Sequence, residues 1–188
     1  MFTAKRRCGR AAVLPYLVSM VAWSAPLPAY ADEPMDEYQV KAAFLLNFAK
    51  FVVWPPRAGK APANRFSICI LGDDPFHGAL EQEIGGKKLE GREFEVRQVS
   101  DASAACNCHI LFVSASGRKR FRTIFEGLRN SGVLTIGDNP GLAAEGAVID
   151  FKLEGGKIRF EINLDSADQQ QLRISSKLLS LAQIVKKP

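Results

Sequence analysis

FSICILGDDP, residues 66–75, joins a short apolar run to a glycine, two carboxylates and a proline. The run reads as a β-strand and its tail as a turn. Asp74 offers a side-chain oxygen at an N-cap and Pro75 suits a first helical position, so the spacing predicts a helix from there to about residue 84. The rhythm continues downstream. Residues 94–99 alternate as a strand, 109–113 form another, Ser114-Ala-Ser-Gly117 leads into a basic helix reaching about residue 130, and 133–136 form a fourth strand before Gly137-Asp-Asn-Pro-Gly141. Strand and helix in alternation predict an α/β fold: a mainly parallel sheet flanked by helices on both faces, with right-handed crossovers.

The two ends of this array differ from its middle. Upstream, twelve of the fifteen residues at 40–54 are apolar, and Pro55-Pro56 stops them. That pattern predicts a helix buried round most of its circumference, too short and too charged to span a bilayer. Phe44, Phe48 and Phe51 fall at helical spacing; besides filling a core they are candidates for contact with a second subunit. Downstream, 148–153 and 157–164 alternate around Gly155-Gly156, where both turn positions can take positive φ, which predicts an antiparallel hairpin. A two-residue turn sets Phe151 opposite Phe160 and Ile149 opposite Ile162 on one face. On the other, Asp150 opposes Glu161 and Lys152 opposes Arg159, which is unfavourable unless diagonal pairs of opposite charge compensate. A longer turn, or a partner outside the domain for this charged face, are the alternatives. A final helix is expected within 172–185, with Ser175 as N-cap and Leu178, Leu181, Ala182 and Val185 on one stripe.

Ahead of all this stand Lys5, Arg6, Arg7 and Arg10, an apolar stretch at 11–26, and Ala29-Tyr30-Ala31. A basic region, an apolar region and a small-x-small site make up a cleavable export signal, here 1–31, which leaves 32–188 as a single domain. Its removal takes away four basic residues and no acidic one, so the formal charge falls from +5 to +1. The basic balance belongs to the signal, and nucleic acid is excluded as a partner.

Export also frames the cysteines. Cys8 leaves with the signal, and Cys69, Cys106 and Cys108 remain, enough for one disulfide and one thiol. Structural zinc sites space their cysteines by two to four residues and draw on a second pair, and the C-x-C at 106–108 does neither. The preferred arrangement sets Cys108 against Cys69 on neighbouring strand ends at bridging distance. The sequence leaves the pairing open, with Cys106 as the other candidate partner, or else as the thiol left over or the site of an intermolecular bond.

In an open α/β sheet, ligands sit beyond the carboxyl ends of the strands. Three loops are expected there, carrying Asp73 and Asp74, Ser114 and Ser116, and Asp138 and Asn139. Carboxylates and hydroxyls so placed could hold a cation or orient a small ligand, and the same residues serve equally as helix caps and turn formers. No nucleotide-binding glycine loop, nucleophile elbow or zinc-protease helix occurs in the sequence, and neither His77 nor His109 has a nucleophile near it. The expectation is a protein without catalytic residues, metal or cofactor.

Six motifs in order carry a resemblance. They are VKAAFLLNFAKFVVWP (40–55), CILGDDPF (69–76), CHILF (108–112), VLTIGDNPG (133–141), FEINLD (160–165) and LRISSKLL (172–179). Together they resemble the YfiR family of periplasmic proteins. The resemblance implies a compact α/β periplasmic protein, commonly a dimer, which binds the periplasmic part of an inner-membrane diguanylate cyclase and represses it, lowering cyclic di-GMP and biofilm formation. It implies relief of repression by an outer-membrane lipoprotein with a peptidoglycan-binding domain. It also matches Cys69 and Cys108 to a disulfide of the family; the last third of this chain has no cysteine, so a second bridge found in some members is not expected. Phe151, Glu161 and Arg173 are the candidates for partner contact. The competing expectation is a periplasmic small-molecule-binding module that uses the three-loop crevice to serve a sensor kinase or outer-membrane receptor.

Overall fold

The computed structural model describes residues 37–56, 64–138 and 140–185; the export signal read at 1–31 and Asn139 lie outside the described residues. The chain runs through α1 (Glu37–Phe51), β1 (Val52–Val53), β2 (Arg65–Leu71), α2 (Ala79–Ile84), β3 (Lys88–Leu89), β4 (Arg92–Val99), α3 (Ala102–Ala105), β5 (Ile110–Val113), α4 (Arg118–Ile124) and β6 (Leu134–Gly137). It continues through β7 (Ile149–Glu154), β8 (Lys157–Asn163), α5 (Leu164–Gln169), β9 (Arg173–Ile174), α6 (Ser176–Leu179) and β10 (Gln183–Val185). Eight strands make one sheet in the order β10-β8-β7-β6-β5-β2-β4-β3, while β1 and β9 pair apart from it. Only β3/β4 and β7/β8 are antiparallel within the large sheet, so the mainly parallel α/β architecture holds.

The apolar runs explain the layering. All four residues of β5 and β6 are buried, as are six of seven in β2, because both faces of these strands are covered. One face packs Ile68, Ile70, Ile110, Phe112, Phe151 and Phe160 against Leu45 and Phe48 of α1 and Leu80 of α2. The other packs Leu71, Leu111 and Val113 against Phe121 and Ile124 of α4. Phe44, Phe48, Phe151 and Phe160 form a ring cluster with centroids 5.1 to 5.9 Å apart, so Phe48 and most of Phe44 are spent inside the subunit. Cys69 and Cys108 are bonded, with Cα atoms 5.9 Å apart, and both are fully buried. Cys106 lies outside the bridge, its Sγ donating to Gly127 O at 3.3 Å.

The hairpin follows its sequence in detail. Phe151 faces Phe160, Ile149 faces Ile162, Asp150 faces Glu161 and Lys152 faces Arg159, around Gly155 and Gly156 at φ of 57° and 72°. The charge conflict is met inside the domain: Lys152 Nζ pairs diagonally with Glu161 Oε1.

Three boundaries differ from the sequence reading. The helix after β2 begins at Ala79, with Gly78 at the N-cap, and Asp74 Oδ1 instead accepts the Phe76 N–H at 2.8 Å. Burial of Phe76 against Phe112 holds the chain out of the helix until His77 and Gly78 turn it with positive φ. The basic helix ends at Ile124 and tightens into a 3-10 turn, Phe125–Leu128. Ser175 caps α6 through the Leu178 N–H, as the sequence predicts, yet α6 is a single turn. Gln183–Val185 is a strand lying parallel to β8, because pairing the open edge of β8 outweighs extending an amphipathic helix whose Leu181 stays 63% exposed.

Candidate functional site

The carboxyl ends of β2, β5 and β6 do bring the three loops to one end of the sheet, but their side chains diverge. Asp73 stands on the rim of a depression of about 460 Å³, its N–H donating to Ser116 Oγ at 2.8 Å. Asp74 is turned away to the Phe76 N–H. Ser114 is buried, and its Oγ donates to Leu71 O at 3.2 Å. Asp138 lies on the α1 side of the sheet. Among the described residues no three His, Cys, Asp or Glu side chains are placed to hold a metal ion.

Asp138 belongs to a clamp that the sequence did not reveal. Lys41, in the apolar helix α1, sends its ammonium to Asp138 Oδ1 at 2.6 Å and to Glu37 Oε1 at 2.5 Å, and the Tyr38 hydroxyl donates to Asp138 Oδ2 at 3.1 Å. The Lys41 and Asp138 side chains are each 4% exposed. Burial works against the Lys41 ammonium, but its hydrogen bonds to Asp138 and Glu37 outweigh that and raise its pKa. Burial raises the Asp138 carboxyl, opposed by Lys41 and Tyr38. The ion-paired form is the one these contacts favour, since Lys41 and Tyr38 both donate to Asp138.

The hairpin candidates separate in the same way. Phe151 is 1% exposed and Glu161 is buried against Lys152, so both shape the hairpin from within. Between them lies Asp150, which is fully buried. Its Oδ2 accepts the Leu142 N–H at 2.7 Å and, more weakly, that of Ala143 at 3.4 Å, while Oδ1 has no hydrogen-bond partner among the described residues. A Cβ at the neighbouring Gly137 would collide with that oxygen and with Leu142. Burial pushes the Asp150 carboxyl up to about 6, against the pull of the backbone N–H groups.

The sign follows. A folded pKa above the ordinary 3.8 favours folding at low pH, and this contribution fades as pH rises through about 6. Asp150→Asn is therefore expected to gain on the parent protein by on the order of 2–3 kcal/mol between pH 4 and pH 7.5, read from urea unfolding at both pH values. A difference between the two proteins that stays constant with pH removes Asp150 as the titrating group.

Arg173 is exposed. It pairs in β9 with Val53 of β1, and together with Trp54, Pro55, Asp168 and Leu172 these residues line a groove of about 490 Å³. Val53 is 63% exposed there. Trp54 packs edge-on against Phe66 and His109. His109 is buried, accepts the Ser67 N–H at Nδ1 and stacks on Phe66 at 4.4 Å, while His77 is exposed. The groove sets an apolar ledge, an indole and a guanidinium on a paired two-strand support.

A family model described as YfiR/HmsC-like matches residues 38–183. Among solved structures, the chain is similar to a conserved domain protein from Vibrio cholerae O1 biovar El Tor, with a TM-score of 0.54 and 9% identity over 80% of this chain and 60% of that one. The chain thus spans about 60% of that protein's length, and at this identity the likeness is one of fold. The ABC domain from Streptococcus pneumonia solved in complex with L-Trp gives a TM-score of 0.46 and 12% identity over 64% of this chain and 55% of that one, and carries no argument.

Proposed function

The chain belongs to the YfiR/HmsC-like family, and from that premise we propose that it works in the periplasm as a repressor of an inner-membrane diguanylate cyclase. Bound to the periplasmic part of the cyclase, it lowers cyclic di-GMP and limits biofilm formation. An outer-membrane lipoprotein with a peptidoglycan-binding domain relieves this, and the repressor acts as a homodimer. The observation that carries the reading is the family match over most of the chain. The exposed Val53 and Arg173 groove supports it, because a repressor needs surface that binds one state of its target more tightly than another.

Deleting the gene is expected to raise cellular cyclic di-GMP in a strain that expresses a cognate cyclase; unchanged levels there overturn the reading. Within it, Val53→Asp with Arg173→Glu is expected to weaken binding to the cyclase's periplasmic portion about 30-fold, some 2 kcal/mol for a central contact, with thermal stability close to the parent. Full affinity in that variant moves the contact elsewhere. The alternative, a small-molecule module built on Asp73, Asp74, Ser114 and Asp138, asks side chains to converge of which Asp74, Ser114 and Asp138 point to different neighbours.

A further inference from the structure

A different set of residues forms a crevice at the same end of the sheet. β2 and β5 are adjacent and parallel, but the chain leaves them in opposite directions. After β2 it passes to α2, whose Leu80 and Ile84 pack on the Phe48 side; after β5 it passes to α4, whose Phe121 and Ile124 pack on the Cys69 side. This is a topological switch point, and the gap it opens between the two departing loops is where open α/β sheets take ligands.

The gap is built, not left over. Gly72, at φ 100°, and Gly117 allow the two loops to touch: a Cβ on either would collide with the other loop, meeting Ser114 Oγ from Gly72 and Leu71 O from Gly117. Ser116 Oγ accepts the Asp73 N–H and lies 3.3 Å from Ser114 Oγ, which in turn donates to Leu71 O. Over this floor stands the depression of about 460 Å³, walled by Asp73 from the β2 loop, Gln98 and Ser100 from the end of β4, and Ser116 and Arg120 from the β5 side. Its size falls in the range of small-ligand sites, roughly 300–1,000 Å³.

The charges on its rim are what select the ligand. On α4, Arg118 and Arg122 are both committed to Glu145, whose carboxyl they hold down at about 2. Arg120, on the same helix, has no ion pair among the described residues, nor has Asp73. Opposite charges therefore face one pocket without neutralising each other. A simple anion would meet the Asp73 carboxylate, and a simple cation would meet the Arg120 guanidinium; a molecule with both ends satisfies both, with the hydroxyls of Ser100 and Ser116 and the Gln98 amide as further partners. We propose that the switch-point crevice between Asp73 and Arg120 binds a small zwitterion carrying a carboxylate and an ammonium on a short chain.

The site is lined by none of the residues of the Arg173 groove and does not depend on the cyclase reading. The test follows backbone amide shifts of the purified protein while glycine, β-alanine and γ-aminobutyrate are titrated in turn, beside acetate and methylammonium as the separate halves. At least one zwitterion is expected to shift the amides of Gly72, Asp73, Ser100 and Gly117 saturably, at least about tenfold more tightly than either half. Arg120→Gln and Asp73→Asn are each expected to weaken it about tenfold. Both replace exposed side chains, and unchanged thermal unfolding verifies their folds. No saturable shift with any of the three zwitterions overturns the proposal. So does acetate binding as tightly as the best of them, or affinity retained in both variants.

Discussion

Lys41→Met is expected to lower the free energy of unfolding by about 3–5 kcal/mol at pH 7, although methionine suits an apolar helix better than lysine does. The loss arises at the other end of the contact. Asp138 keeps a side chain only 4% exposed, with the Tyr38 hydroxyl as its remaining side-chain donor among the described residues, so its charge is left buried and uncompensated. Because burial already raises the Asp138 carboxyl, protonation relieves that charge as pH falls, and the damage done by Lys41→Met is expected to shrink toward pH 4. Adding Asp138→Leu restores much of the loss, since an apolar pair in place of a buried ion pair is often neutral or stabilising. Urea unfolding of the two single variants and the double variant at two pH values measures all of this. A single-variant loss under about 1 kcal/mol at pH 7 means that water reaches the pair and the clamp is only a surface contact.

That clamp also shows where reading the sequence stops. The strands of the sheet centre were legible because a parallel strand covered on both faces has to be apolar along its length, as β2 and β5 are. The hairpin was legible to the register, since Gly155-Gly156 and the two-residue alternation are local signals. Lys41 was visible only as an interruption in an apolar helix, and its partner is 97 residues away. Likewise the order of strands placed three loops at one end of the sheet, but which way Ser114, Asp138 and Asp74 point depends on face alternation and on Phe76 being pulled into the core. The β10 strand is three residues long, too short to show a period, and exists because β8 offers it an edge.

Replacing both bridge cysteines, Cys69→Ala with Cys108→Ala, is expected to cost about 4 kcal/mol, the loop-closure entropy released to the unfolded chain by opening a loop of about 40 residues. The bond spans a sequence separation of 39 and joins β2 to the residues just ahead of β5, so it holds α2, β4 and α3 in one covalent loop next to the sheet centre. Both sulfurs belong to fully buried residues, so a reductant reaches them only when this part of the fold opens. Reductant is therefore expected to lower the urea midpoint of the parent protein toward that of the double variant and to leave the double variant where it is. Of Cys69, Cys106 and Cys108, alkylation without reductant is expected to label Cys106 alone, and unfolding before alkylation should not change that. Three labelled cysteines, or a midpoint indifferent to reductant in the parent protein, would mean that packing around β2 and β5 holds without the bond.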